Sequence, residues 1–99
     1  MPYRLSIRPE AETDISDAFN YYQRCRPGLG QDFLLCVEAA FERISRNPHQ
    51  YQIVHKTVRR TVIQRLPYGI YYIVVANEHI IVLAVMALMR DPTRWQGRA

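Results

Sequence analysis

Apolar positions change their spacing near the middle of this chain, and the change predicts an α+β protein. In Tyr3–Arg8, the side chains of Tyr3, Leu5 and Ile7 alternate with Arg4, Ser6 and Arg8, the two-residue period of a short strand. Pro9 then suits the first turn of a helix, where a missing N–H costs nothing. Ala11, Ile15, Ala18, Phe19 and Tyr22 recur at helical spacing. Glu10, Glu12 and Asp14 crowd the start of that run and Arg24 and Arg26 its end, the polarity a helix dipole favours. Pro27-Gly28 stops it. A second stripe, Phe33, Val37, Ala40, Phe41 and Ile44, ends at Asn47-Pro48, with Glu42 and Arg46 spaced for an i, i+4 pair. So short a link predicts an antiparallel helical hairpin.

Past residue 50 the period shortens. Tyr51–His55, Val58–Leu66, Ile70–Val75 and His79–Met89 read as strands, and the short link at Asn77-Glu78 predicts a tight hairpin. The runs "IYYIVV" and "IIVLAVMALM" predict central strands covered in part on both faces. The expected architecture is a single domain over residues 1–99, with the helical hairpin on one face of a small, mainly antiparallel sheet. The other face is expected to be shallow and partly open, within reach of Arg60 and Arg65.

Composition narrows this picture. Ninety-nine residues suffice for one core, and 48% apolar content suits a globular chain. The longest apolar run, Ile80–Met89, is too short to span a bilayer, and the opening residues lack a signal-peptide pattern. A cytoplasmic location with no membrane partner is therefore expected. Cys25 and Cys36 read as buried, reduced thiols on helices. His49, His55 and His79 have no ligand spacing, so neither a metal nor a cofactor is expected. Gly28-Leu29-Gly30 lacks the lysine and the preceding strand of a phosphate loop and reads as hairpin punctuation. Glu10, Glu12, Asp14 and Asp17 read as a solvated helix face.

Charge is unevenly placed. Residues 1–50 carry six arginines against seven acids, a balance of −1, whereas residues 51–99 carry six arginines and Lys56 against two acids, a balance of +5. Arginine forks suit carboxylate or phosphate, so the second half predicts an anionic partner. Arg59, Arg60 and Arg65 share one strand-like run, where alternation puts Arg59 and Arg65 on one face and Arg60 on the other. Arg90 to Trp95 is expected to form an exposed edge, with Pro92 ending strand pairing, Arg90 pairing with Asp91 or a partner carboxylate, and Trp95 a contact anchor. The competing reading is a lid, with Trp95 folded back over the sheet.

Three stretches carry a family resemblance: "YYQRCRPGLGQDFLLCVEAAFERISRNPHQY", "VRRTVIQRLPYGIYYIV" and "AVMALMRDPTRW". Together they resemble the RelE/ParE toxins of bacterial toxin–antitoxin systems, on the ParE side. The resemblance implies a β-α-α-β-β-β fold and a cognate antitoxin that neutralises the protein. ParE-like members poison DNA gyrase by binding it; RelE-like members cut mRNA on the ribosome. On this reading the expected target-binding residues are Arg59, Arg60, Arg65, Arg90, Asp91, Pro92, Arg94 and Trp95. Ala87, Leu88 and Met89 stand where many relatives are polar, and with Trp95 they form the expected antitoxin surface. By analogy the antitoxin has a DNA-binding part, so operator DNA would be reached only through it, and an acidic C-terminal segment that folds on contact.

Cutting RNA needs a group to take the 2′-hydroxyl proton, charge stabilisation at phosphorus, and an acid for the leaving oxygen. RelE-like enzymes use a basic cluster, including an arginine just after the tyrosine that opens a central strand, and a C-terminal tyrosine. Here those positions hold Gly69 and Trp95, and an indole N–H donates a hydrogen bond without exchanging a proton near neutral pH. An RNase site would have to be built from Arg60, Arg65, Tyr71 and Arg90. The expectation is therefore a gyrase-inhibiting toxin without catalytic residues. An mRNA endonuclease, or a non-toxic binding module on the same fold, are the alternatives.

Overall fold

Strand β1 (Arg4–Ile7) runs directly into helix α1 (Pro9–Cys25) in the computed structural model, which describes residues 3–63, 65–76 and 78–99. Arg26 to Gly28 link α1 to α2 (Leu29–Arg46), and Gly28 supplies the left-handed turn at φ 91°. Gly28 alone is the hairpin punctuation expected of the glycine pair, since Gly30 lies within α2 against Phe19; the expected burial of the cysteines is not met either, because Cys25 at the end of α1 is exposed and Cys36 half-buried. The strands β2 (Ile53–His55), β3 (Val58–Val62), β4 (Tyr68–Val75) and β5 (His79–Ala87) follow, and a short helix α3 (Thr93–Gln96) comes last. The five strands form one sheet in the order β1-β5-β4-β3-β2; β1 pairs parallel with β5 and every other pairing is antiparallel. Four strands follow the helices, as the spacing of apolar residues predicted, where the family pattern implied three; the extra one is the short edge strand β2. In the expected hairpin link, Glu78 adopts φ 56°, and Asn77 lies outside the described residues.

The helical hairpin buries its stripes against one sheet face. Ala11 and Ala18 of α1 and Phe33, Val37, Ala40 and Ile44 of α2 meet Ile70 and Tyr72 of β4 and Ile80, Val82 and Val85 of β5. Removing this apolar surface from water is the main stabilising term. Tyr72 donates its hydroxyl to the Pro48 carbonyl (2.6 Å), tying the end of α2 to the central strand. Glu42 and Arg46 form their predicted pair at 3.6 Å, with both side chains exposed and of little energetic weight.

The second face is not open along its whole length. Val58, Tyr71, Leu83, Ala84 and Met86 form a smaller core there, and Trp95 covers it. A β-bulge shapes this face: Tyr71 pairs with Ala84 while Tyr72 pairs with Val82, so Leu83 is an extra residue. As a result Leu83 and Ala84 both join the second core, although they are sequence neighbours. Strand β5 also ends two residues earlier than its apolar run: Leu88 N–H still makes a ladder bond to the Pro67 carbonyl (2.8 Å), but Arg90 N–H turns back to the Ala87 carbonyl (3.0 Å).

Candidate functional site

The C-terminal segment decides which residues are available. Trp95 is only 5% exposed and stacks on Tyr71 with ring centroids 4.2 Å apart and an 18° interplanar angle. His55 packs edge-on against the same indole at 5.9 Å. The lid reading is therefore the one realised, and Trp95 is not the exposed contact anchor that was expected. The cause is hydrophobic: the second core would otherwise lie open to water. Tyr71, 2% exposed beneath the indole, is likewise withdrawn from the group of possible RNase residues.

Polar contacts latch this lid. Arg98 donates to both carboxylate oxygens of Asp14 (2.6 and 3.3 Å) and to the Leu83 carbonyl at the bulge (3.1 Å). Asp14 also accepts the Val85 N–H (3.1 Å), and Arg8 donates to the Arg98 carbonyl (3.2 Å). These bonds meet a structural need. Strand β1 covers β5 only from His79 to Val82, so the backbone beyond has no strand partner on that side. Asp14 and Arg98 satisfy it instead. Asp14, expected on a solvated helix face, is thus a half-buried structural acceptor, and its partner 84 residues away left no local sign in the sequence.

The six arginines of the second half separate by role. Arg59 faces the helical side and donates to the carbonyls of His49 (3.0 Å) and Tyr51 (2.7 Å), so it staples the connection after α2 and leaves the expected target surface. Arg98 is the latch. Arg60 lies in register with Tyr71, on the second face. Arg65 occupies the β3–β4 turn at φ 76°, beyond the end of β3, where strand alternation no longer assigns it a face. Arg90 and Arg94 are exposed, as are Asp91 and Pro92. Asp91 accepts the Thr93 N–H (3.0 Å) rather than pairing with Arg90, and this bond holds its carboxyl below the usual carboxylate range. Among the described residues, Arg60, Arg65, Arg90 and Arg94 have no ion pair.

Two surfaces result. One is a groove of about 460 Å³ between α1, the end of β5 and the C-terminal segment. Tyr22, Tyr68 and Val85 line its inner part, and Asp17, Arg90 and Arg94 its rim. Burial raises the pKa of Tyr68 against the opposing pull of Arg90, and burial followed by the neighbouring Tyr68 raises that of Tyr22. Both phenols therefore stay protonated at neutral pH and serve as hydrogen-bonding walls. Sequence reasoning missed this groove, since its residues come from four separated segments. The other surface is the uncovered end of the second sheet face, where Arg60, Val62, Gly69 and Leu88 meet, with Met89 following in the chain. It holds the expected antitoxin-facing Leu88 and Met89, both exposed, and half-buried Ala87 closes the strand beside them.

Comparison with known proteins agrees with this geometry. The model of the ParE toxin of the type II toxin–antitoxin system, parDE, matches residues 5–92. Among solved structures, the chain is similar to one from the chromosomal ParDE toxin–antitoxin system of P. aeruginosa, with a TM-score of 0.75 and 15% identity, over 86% of this chain and 95% of that one. It is also similar to one from the RelBE2 toxin–antitoxin complex of Mycobacterium tuberculosis, with a TM-score of 0.62 and 18% identity, over 88% of this chain and 99% of that one. No curated protein sequence matches it significantly. At these identities the two structures speak for the fold, while the match over residues 5–92 identifies the family: the chain belongs to the ParE toxins of type II toxin–antitoxin systems.

Proposed function

We propose that this toxin inhibits DNA gyrase by binding it, without chemistry of its own, and that a cognate antitoxin with an acidic segment holds it inactive. The observation that carries the reading is the burial of Tyr71 under Trp95. Among the described residues, it leaves the arginine-bearing end of the sheet face without a side chain suited to proton transfer. His55 pairs with Val58 at the far end of β3, and His79 is held by Ser6 (2.7 Å) at the far end of β5. Arg60 supplies charge but stays protonated at any physiological pH, so it stabilises an anion without acting as general base. Half-buried Arg60 and exposed Arg65, Arg90 and Arg94 instead suit recognition of an acidic protein surface. Family membership favours the gyrase reading, and both structural relatives come from toxin–antitoxin systems, which supports an antitoxin partner.

The test is purified, antitoxin-free protein in a gyrase supercoiling assay, run beside a ribosome–mRNA cleavage assay. Inhibited supercoiling with intact message is expected. Cut message with normal supercoiling would refute the proposal in favour of an endonuclease, and neither effect from folded protein would indicate a binding module that has lost toxicity.

A further inference from the structure

Position 69 explains how one arginine is held ready for a partner. A Cβ built on Gly69 would lie 3.1 Å from Cδ and 3.3 Å from Cγ of Arg60, and 3.2 Å from Cδ2 of Leu88. The absence of a side chain at 69 is what lets the Arg60 stem lie down on the sheet, with Leu88 on the other side of the same gap. Among the described residues, the guanidinium at the end of that stem has neither an ion pair nor a hydrogen-bond partner. A stem fixed by packing loses little further freedom when its head group binds, which is preorganisation for an anion.

The surround indicates which anion. Val62, in register with Gly69, is 45% exposed; Leu88 is 37% exposed and Met89 92%. Single exposed apolar residues are ordinary, but here Val62 and Leu88 flank the Gly69 gap that seats the Arg60 stem, and Met89 follows Leu88 in the chain. A nucleic-acid backbone offers phosphates but nothing apolar for Leu88 and Met89 to cover. A peptide carrying a carboxylate beside an apolar side chain satisfies both needs, and Arg, Met and apolar neighbours are typical of interface cores. No acid among the described residues pairs with Arg60, and Asp91, one of only two acids after residue 50, is engaged by Thr93.

We propose that Arg60, positioned by the missing side chain of Gly69, is the carboxylate anchor of the antitoxin interface, and that Val62, Leu88 and Met89 receive the apolar side chain beside that carboxylate. This rests on the antitoxin reading given above and adds the site and its chemistry. It also implies neutralisation by occlusion, because Arg60 is one of the arginines assigned to the target.

The experiment measures affinity of the purified toxin for the antitoxin encoded with it, at low and high salt, with thermal unfolding of each variant alongside. Arg60→Met keeps the apolar stem over Gly69 and removes the guanidinium; it is expected to weaken binding at least about tenfold and to flatten the salt dependence. Gly69→Ala, which displaces the stem by a few tenths of an ångström, is expected to weaken binding by a smaller factor. Met89→Asp, at a position too exposed to affect folding, sets a like charge beside the incoming acid and is expected to weaken binding about tenfold or more. Unfolding midpoints should stay at the wild-type value. Arg60→Met and Met89→Asp binding as tightly as wild type would overturn the anchor while leaving the antitoxin partner in place. Wild-type toxin that fails to bind the antitoxin would remove the partner, and the anchor with it.

Discussion

Replacing Trp95 with alanine should destabilise the protein by about 3–5 kcal/mol. A tryptophan side chain carries on the order of 200 Å² of surface, and Trp95 is 5% exposed. At roughly 25 cal/mol per Å², its burial contributes up to about 5 kcal/mol, and a compact unfolded chain lowers that by some 10–40%. Stacking on Tyr71 at 4.2 Å adds about 1 kcal/mol. For a chain of 99 residues, whose total stability is on the order of 5–15 kcal/mol, such a loss is severe. With a urea m-value of about 1–3 kcal/mol/M, the midpoint should fall by more than about 1 M. Backbone circular dichroism is the suitable probe, since the substitution removes the chain's only tryptophan. The wild-type indole should in turn fluoresce at the short wavelengths of an apolar site and resist a soluble quencher. A loss below about 1 kcal/mol, or an indole freely quenched in the wild type, would refute the lid and return Trp95 to the exposed edge.

Three further outcomes follow from the polar contacts. Asp14→Asn keeps an acceptor for Val85 N–H but uncouples Arg98, and should cost about 1–3 kcal/mol; a double-mutant cycle with Arg98→Met should show that the two losses are strongly non-additive. Arg59→Ala should cost about 1–3 kcal/mol by freeing the His49 and Tyr51 carbonyls, whereas Arg60→Met should stay within about 0.5 kcal/mol, so urea unfolding separates two adjacent arginines. Burial raises the Tyr72 pKa well above the ordinary tyrosine value. The folded state then holds a proton that the unfolded chain releases above pH 10, so stability is full below that pH and declines as pH rises beyond it. Tyr72→Phe should be less stable near neutrality, through the lost bond to Pro48, but should decline less steeply in alkali.

Much of the fold was legible because local spacing carries it. The helical stripes ending at Tyr22 and Ile44 lie within α1 and α2, and each expected strand run overlaps an observed strand, although β4 begins two residues before its expected run. What the sequence hid were contacts between distant residues. The run Ile80–Met89 is continuously apolar, so it has no alternation that a bulge at Leu83 could interrupt. Asp14 sits among acids that a helix start explains by itself, so its bond to Arg98 had no signature. Arg59 and Arg60 look equivalent in sequence; strand alternation separates them, and only the loop carbonyls of His49 and Tyr51 show that one is structural. Both fates of Trp95 were open from the sequence, because the choice depends on how well its indole fits Tyr71 across the sheet. Gly69 was noticed for the side chain it lacks, and its role in seating Arg60 emerged only from the packing around it.

The central claim is a toxin that acts by binding rather than by turnover, and stoichiometry tests it most directly. Purified toxin would be titrated into a fixed amount of gyrase while supercoiling is measured, with Arg60→Met as a folded comparison. The account predicts inhibition that grows with the toxin-to-gyrase ratio, levels off at saturation, and shifts to higher ratios for Arg60→Met. Supercoiling that stays unaffected at large excess, while a small fraction of one equivalent of toxin degrades ribosome-bound mRNA, would contradict it.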